Sequence, residues 1–158
     1  MKAPITRQGM EKIQQELDHL IKVEREEIKV VIAEARELGD LKENAEYHSA
    51  KERQSLIEGR IGQLQSIVAN SQVIDVGSVD SDTIVFGATV TLLDVEKEEK
   101  VTYTIVGAEE SDKATGKISY TSPLGKALIG REEGDTVIVK APKGDIEYEV
   151  ESFEFKDV

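Results

Sequence analysis

Residues 44–70 read NAEYHSAKERQSLIEGRIGQLQSIVAN. Positions in this stretch recur in alternating steps of three and four residues: Tyr47, Ala50, Gln54, Ile57, Ile61, Leu64 and Val68. This spacing places them on one stripe of an α-helix and is typical of a coiled-coil seam. We therefore predict one long amphipathic helix, whose stripe must be covered by a second helix.

The segment before this helix supplies the second one. It contains no Pro between Thr6 and Leu38, and its apolar residues mostly follow the same steps: Met10, Ile13, Leu17, Leu20, Ile28, Val31, Ala35 and Leu38. The longer gap between Leu20 and Ile28 resembles a coiled-coil stutter, and Thr6 is the predicted N-cap. Because few residues separate the two helices, they must form an antiparallel hairpin. Arms of about 30 residues would each span roughly 45 Å, so we expect the turn to lie far from the rest of the protein.

The second half of the chain changes to the period of β-strands. Short segments rich in Thr, Val, Ile and Tyr are predicted as strands: 83–86, 88–93, 100–106, 117–120, 136–140 and 145–155. Residues 122–129 suit a short helix with Ser122 as N-cap and Pro123 in the first position. The predicted fold class is α+β, with an antiparallel coiled-coil hairpin at 1–76 and an antiparallel sheet domain with one short helix at 77–158.

Composition excludes several classes of protein. The chain of 158 residues has a formal net charge of −12, no Cys and two His. Disulfide scaffolds, thiolate zinc sites and Cys nucleophiles are therefore excluded. The acidic balance argues against a free-standing duplex-binding protein and against a basic membrane-surface binder. With no apolar run long enough for a membrane span and no signal-peptide core, we expect a soluble, cytoplasmic protein.

The predicted turn at 39–44 concentrates side chains that could carry chemistry. Gly39 would end the first helix, and Asp40 could cap the second, with Glu43 as its capping-box partner. In the functional interpretation, the carboxylates of Asp40 and Glu43 and the carboxamide of Asn44 are presented at the end of a long rod. Two carboxylates cannot hold Mg²⁺ tightly alone, but they could complete a site on a partner.

Two basic residues flank this turn. Arg36 and Lys51 could contact the phosphates of a nucleic acid there, despite the acidic total. The alternative is ordinary ion pairing with nearby Glu side chains, which contributes little on an exposed surface. His48 lies beside the seam position Tyr47, and we interpret it as a solvated or packing residue, because no partner for a catalytic base is identified.

Several stretches resemble one known family. Residues 32–51, IAEARELGDLKENAEYHSAK, are similar to the hairpin-tip signature of the bacterial Gre transcript cleavage factors. Residues 72–75 (QVID), 85–90 (VFGATV), 103–107 (YTIVG) and 122–130 (SPLGKALIG) also resemble that family, in the same order along the chain. The small number of basic residues at the turn resembles the less basic of its two branches.

This resemblance implies a fold and a function. The C-terminal domain would be FKBP-like and would dock on RNA polymerase near its secondary channel, through which the hairpin would reach the active centre. There the factor would stimulate the polymerase's own Mg²⁺-dependent cleavage of backtracked RNA, as an accessory factor and not as an enzyme. By position in the motif, Asp40 and Glu43 would share Mg²⁺ with the polymerase. Arg36 and Lys51 would handle the RNA 3′ end, and Ser122 and Pro123 would contact the polymerase.

Three alternatives stay open at this point. A non-cleaving regulator of the same channel would share the fold, but the presence of both Asp40 and Glu43 argues against it. A prolyl isomerase or chaperone of FKBP-like fold would need an apolar pocket walled by aromatic rings, and the second half of the chain is poor in them. A coiled-coil scaffold would not require acidic residues at the turn.

Overall fold

The structure, a computed structural model, describes residues 2–39 and 43–156. It divides into two compact units. One unit is Met10–Asn70, and the other combines Met1–Gly9 with Ser71–Val158. The short segment at the start of the chain therefore belongs with the second half, whereas the sequence-based division placed the whole of 1–76 in the hairpin.

Long helices make up the first unit. α1 (Arg7–His19) is followed by one π-helical turn (Leu20–Glu24), α2 (Arg25–Arg36) and α3 (Ala45–Asn70). The π-helical turn falls in the gap where the sequence predicts a stutter, and its wider i→i+5 bonding absorbs the irregular spacing of apolar residues. Thr6 caps α1 as predicted, because its Oγ1 accepts a hydrogen bond from the Gly9 N–H at 3.0 Å.

The predicted hairpin is confirmed by its buried seam. The residues that α2 and α3 bury are Ile28, Ile32, Ala35, Ala50, Ile57, Ile61 and Leu64. On α3 these are all predicted seam positions. Two predicted seam positions are wrong, since Val31 on α2 and Leu38 just beyond its end are 40% and 67% exposed. Ile32 takes the place of Val31, because the step of four from Ile28 keeps the stripe facing α3.

Ion pairs across the helices show that the pairing is antiparallel. The Arg25 guanidinium donates to both carboxylate oxygens of Glu58 at 2.8 Å. Arg60 binds Glu16 in the same bidentate way, at 2.7 and 3.0 Å. The hydrogen bonds from these guanidinium groups lower the pKa of Glu58 and of Glu16 below the usual carboxyl range.

The second unit contains two sheets. Its strands are β1 (Ala3–Thr6), β2 (Ser71–Ile74), β3 (Thr89–Asp94), β4 (Glu99–Val106), β5 (Lys117–Ser119), β6 (Thr136–Ala141) and β7 (Gly144–Glu154). β1 and β2 form a parallel pair, and the other strands form a sheet in the order β5-β4-β3-β7-β6. This sheet is antiparallel except between β4 and β5, where short 3₁₀ turns carry the chain back to the same direction.

A short helix and an apolar core complete this unit. α4 (Pro123–Leu128) contacts β5 and β6. The core residues are Ile84, Ala88, Val90, Leu92, Ile105, Leu128, Val137, Tyr148 and Val150. The predicted α+β fold class is confirmed, but the predicted strand 83–86 is wrong. Ile84 exchanges backbone hydrogen bonds with Gly130 and Arg131 and anchors an irregular segment instead. No helix in the described part of the chain is both long and apolar enough to cross a membrane.

Candidate functional site at the hairpin turn

The hairpin turn, residues 37–44, begins with a regular helix end. The Leu38 N–H donates to the Ala35 carbonyl at 3.2 Å, and the Gly39 N–H donates to the Arg36 carbonyl at 3.4 Å. Gly39 has φ +117°, a conformation that side chains with a Cβ rarely adopt. Glycine thus lets the chain leave α2 sharply.

Asn44 begins the returning helix. Its Oδ1 accepts a hydrogen bond from the Tyr47 N–H at 3.0 Å, which is the N-cap bond of α3. Its Nδ2 donates to the Ala35 carbonyl at 2.6 Å, at the end of α2. The prediction that Asp40 caps this helix with Glu43 as capping-box partner is wrong, because α3 starts at Ala45, and Glu43 precedes the cap. Asp40 itself lies outside the described residues.

Glu43 presents an uncommitted carboxylate. The residue is exposed, and its side chain makes no hydrogen bond or ion pair with another residue that the structure describes. Its neighbour in sequence is the half-buried Asn44, whose side chain is fixed at both ends. A carboxylate beside such a fixed point can bind an external cation without first breaking an internal pair.

Basic and aromatic groups lie on the sides of the turn. The Arg36 guanidinium lies over the Tyr47 ring, 5.9 Å from its centroid, in cation–π geometry. Lys51 is one helical turn beyond Tyr47 on the same face of α3, and its Nζ donates to Gln54 at 3.0 Å. Neither Arg36 nor Lys51 forms an ion pair with a described carboxylate. The His48 ring packs edge-on to Tyr47 at 5.6 Å.

The described part of the turn carries one exposed carboxylate that is chemically suited to a metal ion. Among residues 2–39 and 43–156, no three or more acidic or imidazole side chains converge on one point. Mg²⁺ prefers octahedral oxygen coordination and keeps several waters when bound by one or two carboxylates. The exposed Glu43 carboxylate fits the part of a single oxygen ligand to an ion whose other ligands belong to a partner.

The predicted docking residues lie in the second unit, at the start of α4. Ser122 Oγ accepts from the Gly125 N–H at 3.1 Å and donates to the Ser119 carbonyl at 2.6 Å. Pro123 is exposed at the first helical position. The Ser122 hydroxyl is thus used inside the fold, while the Pro123 ring is available to a partner.

Comparisons with known proteins cover nearly the whole chain. Residues 3–73 match the family described as Transcription elongation factor, N-terminal, and residues 79–155 match Transcription elongation factor, GreA/GreB, C-term. The chain belongs to the GreA/GreB family of transcription elongation factors. The family predicted from the sequence is thereby confirmed.

Two individual relatives give the same assignment. The chain is 52% identical to Transcription elongation factor GreA of Rickettsia conorii over 157 residues, which is 99% of this chain and 97% of that protein. It is 54% identical to GreA of Anaeromyxobacter sp. over 154 residues, 98% and 93% of the two chains. Both relatives carry the name GreA. The crystal structure of GreA factor homolog 1 of Thermus thermophilus is 28% identical, with a TM-score of 0.45 over 98% of this chain and 99% of that one.

The sequence motif locates the turn of this GreA/GreB-family protein but does not indicate how the turn is held together. The motif places Asn44 with the acidic residues, whereas its amide is part of the framework of the turn. An Asn directly before a helical run is a strong N-cap signal, and that signal could have favoured Asn44 over Asp40.

Proposed function

We propose that this protein binds RNA polymerase, places its hairpin turn in the secondary channel and stimulates the polymerase's own cleavage of backtracked RNA. Family membership supports a role in transcription elongation. The observation that carries the finer proposal is the Glu43 carboxylate, exposed and unpaired among the described residues at the turn. Such a group has no role in holding the hairpin together and is available for chemistry elsewhere.

Glu43 and Asp40 would provide oxygen ligands to Mg²⁺ in the polymerase active centre. When bound there, the ion stabilises charge on the attacking and leaving oxygens of a phosphodiester. The two side chains of this protein would raise the occupancy of a weakly held ion and orient a water molecule for attack. The protein alone would have no hydrolytic activity, because most ligands of that site belong to the polymerase.

Arg36 and Lys51 would contact the phosphates of the extruded RNA 3′ end. Both are exposed and neither is neutralised by a described carboxylate, so their charge is available to an anion. The net charge of −12 makes this a local contact and not general affinity for nucleic acid. Pro123, with the neighbouring Ser122 turn, would contact the polymerase surface. This activity places the protein in the cytoplasm.

An arrested elongation complex tests the proposal. Wild-type protein is compared with Asp40→Ala, Glu43→Ala and the control Glu52→Ala, which removes an exposed carboxylate farther along α3. We expect the two turn variants to lose about a hundredfold or more in cleavage rate at saturating protein, and the control to lose little. The concentration giving half-maximal binding should not change. Equal cleavage by all four proteins would remove the turn carboxylates from the mechanism.

The same assay separates the alternatives. A non-cleaving channel regulator would alter elongation without shortening the RNA. An isomerase would need an aromatic-walled pocket, and the cavity of about 230 Å³ beside β3 and β4 is lined by Thr, Val and Lys side chains together with Gln8 and Gly87, with no aromatic ring among its described lining residues. This cavity therefore does not favour the isomerase.

A further inference from the structure

We propose that Asn44 is a positioning residue that holds the acidic and the basic side chains of the turn in one arrangement; this rests on the proposed function. Its carboxamide is the described side chain that bonds both helices at the turn. The Nδ2 group reaches the Ala35 carbonyl at 2.6 Å on α2, and Oδ1 receives the Tyr47 N–H at 3.0 Å on α3.

The bond to Ala35 closes the turn across nine residues of chain. The Ala35 carbonyl also accepts a hydrogen bond from the Leu38 N–H, at 3.2 Å. The carbonyl of one buried residue therefore bonds both the end of α2 and the Asn44 side chain at the start of α3. A carboxamide suits this pair of bonds, since its donor and its acceptor lie on separate atoms of one rigid group and can serve two helices at once. An aspartate carboxylate only accepts, and a serine hydroxyl donates and accepts through a single atom on a shorter side chain.

We call the two hydrogen bonds of the Asn44 carboxamide the clamp. Its bond to the Tyr47 N–H links the clamp to the residue whose ring contacts Arg36. Tyr47 carries the Arg36 guanidinium on its ring, 5.9 Å from the centroid. Arg36 itself directly follows Ala35, which accepts the other bond of the clamp. On the opposite side, Glu43 directly precedes Asn44. One side chain thereby fixes the backbone next to a carboxylate and next to a guanidinium.

A clamp of this kind matters because Glu43 has no internal partner to hold it. Its position relative to an external ion is set by the backbone that carries it. A displacement on the order of 1 Å at a reacting group can lower a rate by about a hundredfold. Loss of the clamp should therefore lower cleavage at saturating protein without changing how tightly the protein binds the polymerase.

The test compares Asn44→Ala and Asn44→Ser with the control Asn70→Ala, which removes an Asn at the other end of α3 whose Nδ2 bonds within its own helix. Cleavage of an arrested complex is measured against protein concentration. We expect Asn44→Ala to lower the maximal rate about tenfold or more, with the half-saturating concentration within about twofold of wild type. Asn44→Ser, which keeps a cap but cannot reach Ala35, should fall in between, and Asn70→Ala should match wild type.

Hydrogen exchange of the Tyr47 amide in the free protein shows whether the cap itself is lost. It should become faster in Asn44→Ala and change less in Asn44→Ser. A wild-type maximal rate in Asn44→Ala, or a loss that arises entirely from weaker binding, overturns the positioning role while the proposed function stands. Wild-type protein that stimulates no cleavage overturns the proposed function and the positioning role together.

Discussion

The N-termini of α3 and α4 have the same pattern of cap hydrogen bonds but lie in different structural contexts. Asn44 and Ser122 each accept the backbone N–H three residues ahead, at 3.0 and 3.1 Å, and each donates to an upstream carbonyl at 2.6 Å. At α4 that carbonyl is only three residues back, in a packed turn beside the sheet. At α3 it belongs to another helix, across a turn that carries uncommitted charge. The same cap thus stabilises a local fold in one place and organises a candidate site in the other.

Substitution of Gly125 should show the packed character of the α4 terminus most strongly. A Cβ added there would lie 2.2 Å from the Ser119 carbonyl oxygen, which is backbone and cannot move aside cheaply. We expect Gly125→Ala to destabilise the protein by about 1–3 kcal/mol, the usual cost of overpacking. Thermal or urea unfolding measures it. Unchanged stability of Gly125→Ala would contradict the packed character of this terminus.

The Ser122 hydroxyl allows docking and capping to be separated. Ser122→Ala should cost about 1 kcal/mol of stability, whereas Ser122→Asn, which keeps both an acceptor for the helix and a donor for the Ser119 carbonyl, should cost less. If the hydroxyl acts on the polymerase only through the helix cap, Ser122→Asn should restore binding in a competition assay. A variant that is stable but still binds weakly would indicate a direct contact by the hydroxyl.

A substitution at Gly59 tests whether this face of α3 is free of packing contacts. A Cβ at Gly59 or at the nearby Gly62 would meet nothing within 4 Å, so neither glycine serves close helix packing. Gly59→Ala should stabilise the hairpin by about 0.5–1 kcal/mol, because alanine lowers the entropy lost on helix formation. A lower unfolding temperature for this variant would mean that another surface packs there.

The smallest expected effect is the pH dependence of the cross-helix ion pairs. The pKa of Glu58 is lowered mainly by its hydrogen bond with Arg25, and that of Glu16 mainly by its bond with Arg60. A lowered folded-state pKa gives stabilisation that is present above the ordinary value of 4.5 and is lost as the pH falls through the folded value. Helix unfolding followed at pH 7 and pH 3 should show a small loss, reduced in Glu58→Gln. If Glu58→Gln lost as much stability between pH 7 and pH 3 as the wild type, the pH dependence would arise from other carboxylates.

The sequence predicts the regular parts of this fold well, because periodic apolar residues fix which face of a helix is buried. The seam from Ala50 to Leu64 and the Ser122 cap are examples. β1 and β2 were missed because each has four residues, and their parallel pairing depends on segments far apart in the chain. The segment 83–86 has strand composition, yet tertiary contacts of Ile84 decide its shape.

The sequence predicted where the candidate site lies but not which hydrogen bonds and ring contacts hold it together. The motif located Glu43 and Arg36 at the turn, and the structure describes both there. Asp and Asn cap helices equally well, so the residue types could not show whether Asp40 or Asn44 is the cap. That choice depends on the residue at which α3 begins, which the sequence pattern does not fix. Likewise, the stacking of Arg36 on Tyr47 instead of pairing with Glu depends on the geometry across two helices, which composition does not contain.

The magnesium dependence of cleavage tests the central claim most directly. Cleavage of an arrested complex is measured at saturating wild-type or Glu43→Gln protein while the Mg²⁺ concentration is raised. If the Glu43 carboxylate shares the ion, Glu43→Gln should require about tenfold more Mg²⁺ for half-maximal cleavage, because the neutral amide is a weaker ligand for a hard cation. A Glu43→Gln curve with the same Mg²⁺ midpoint and the same maximum as wild type would contradict the account.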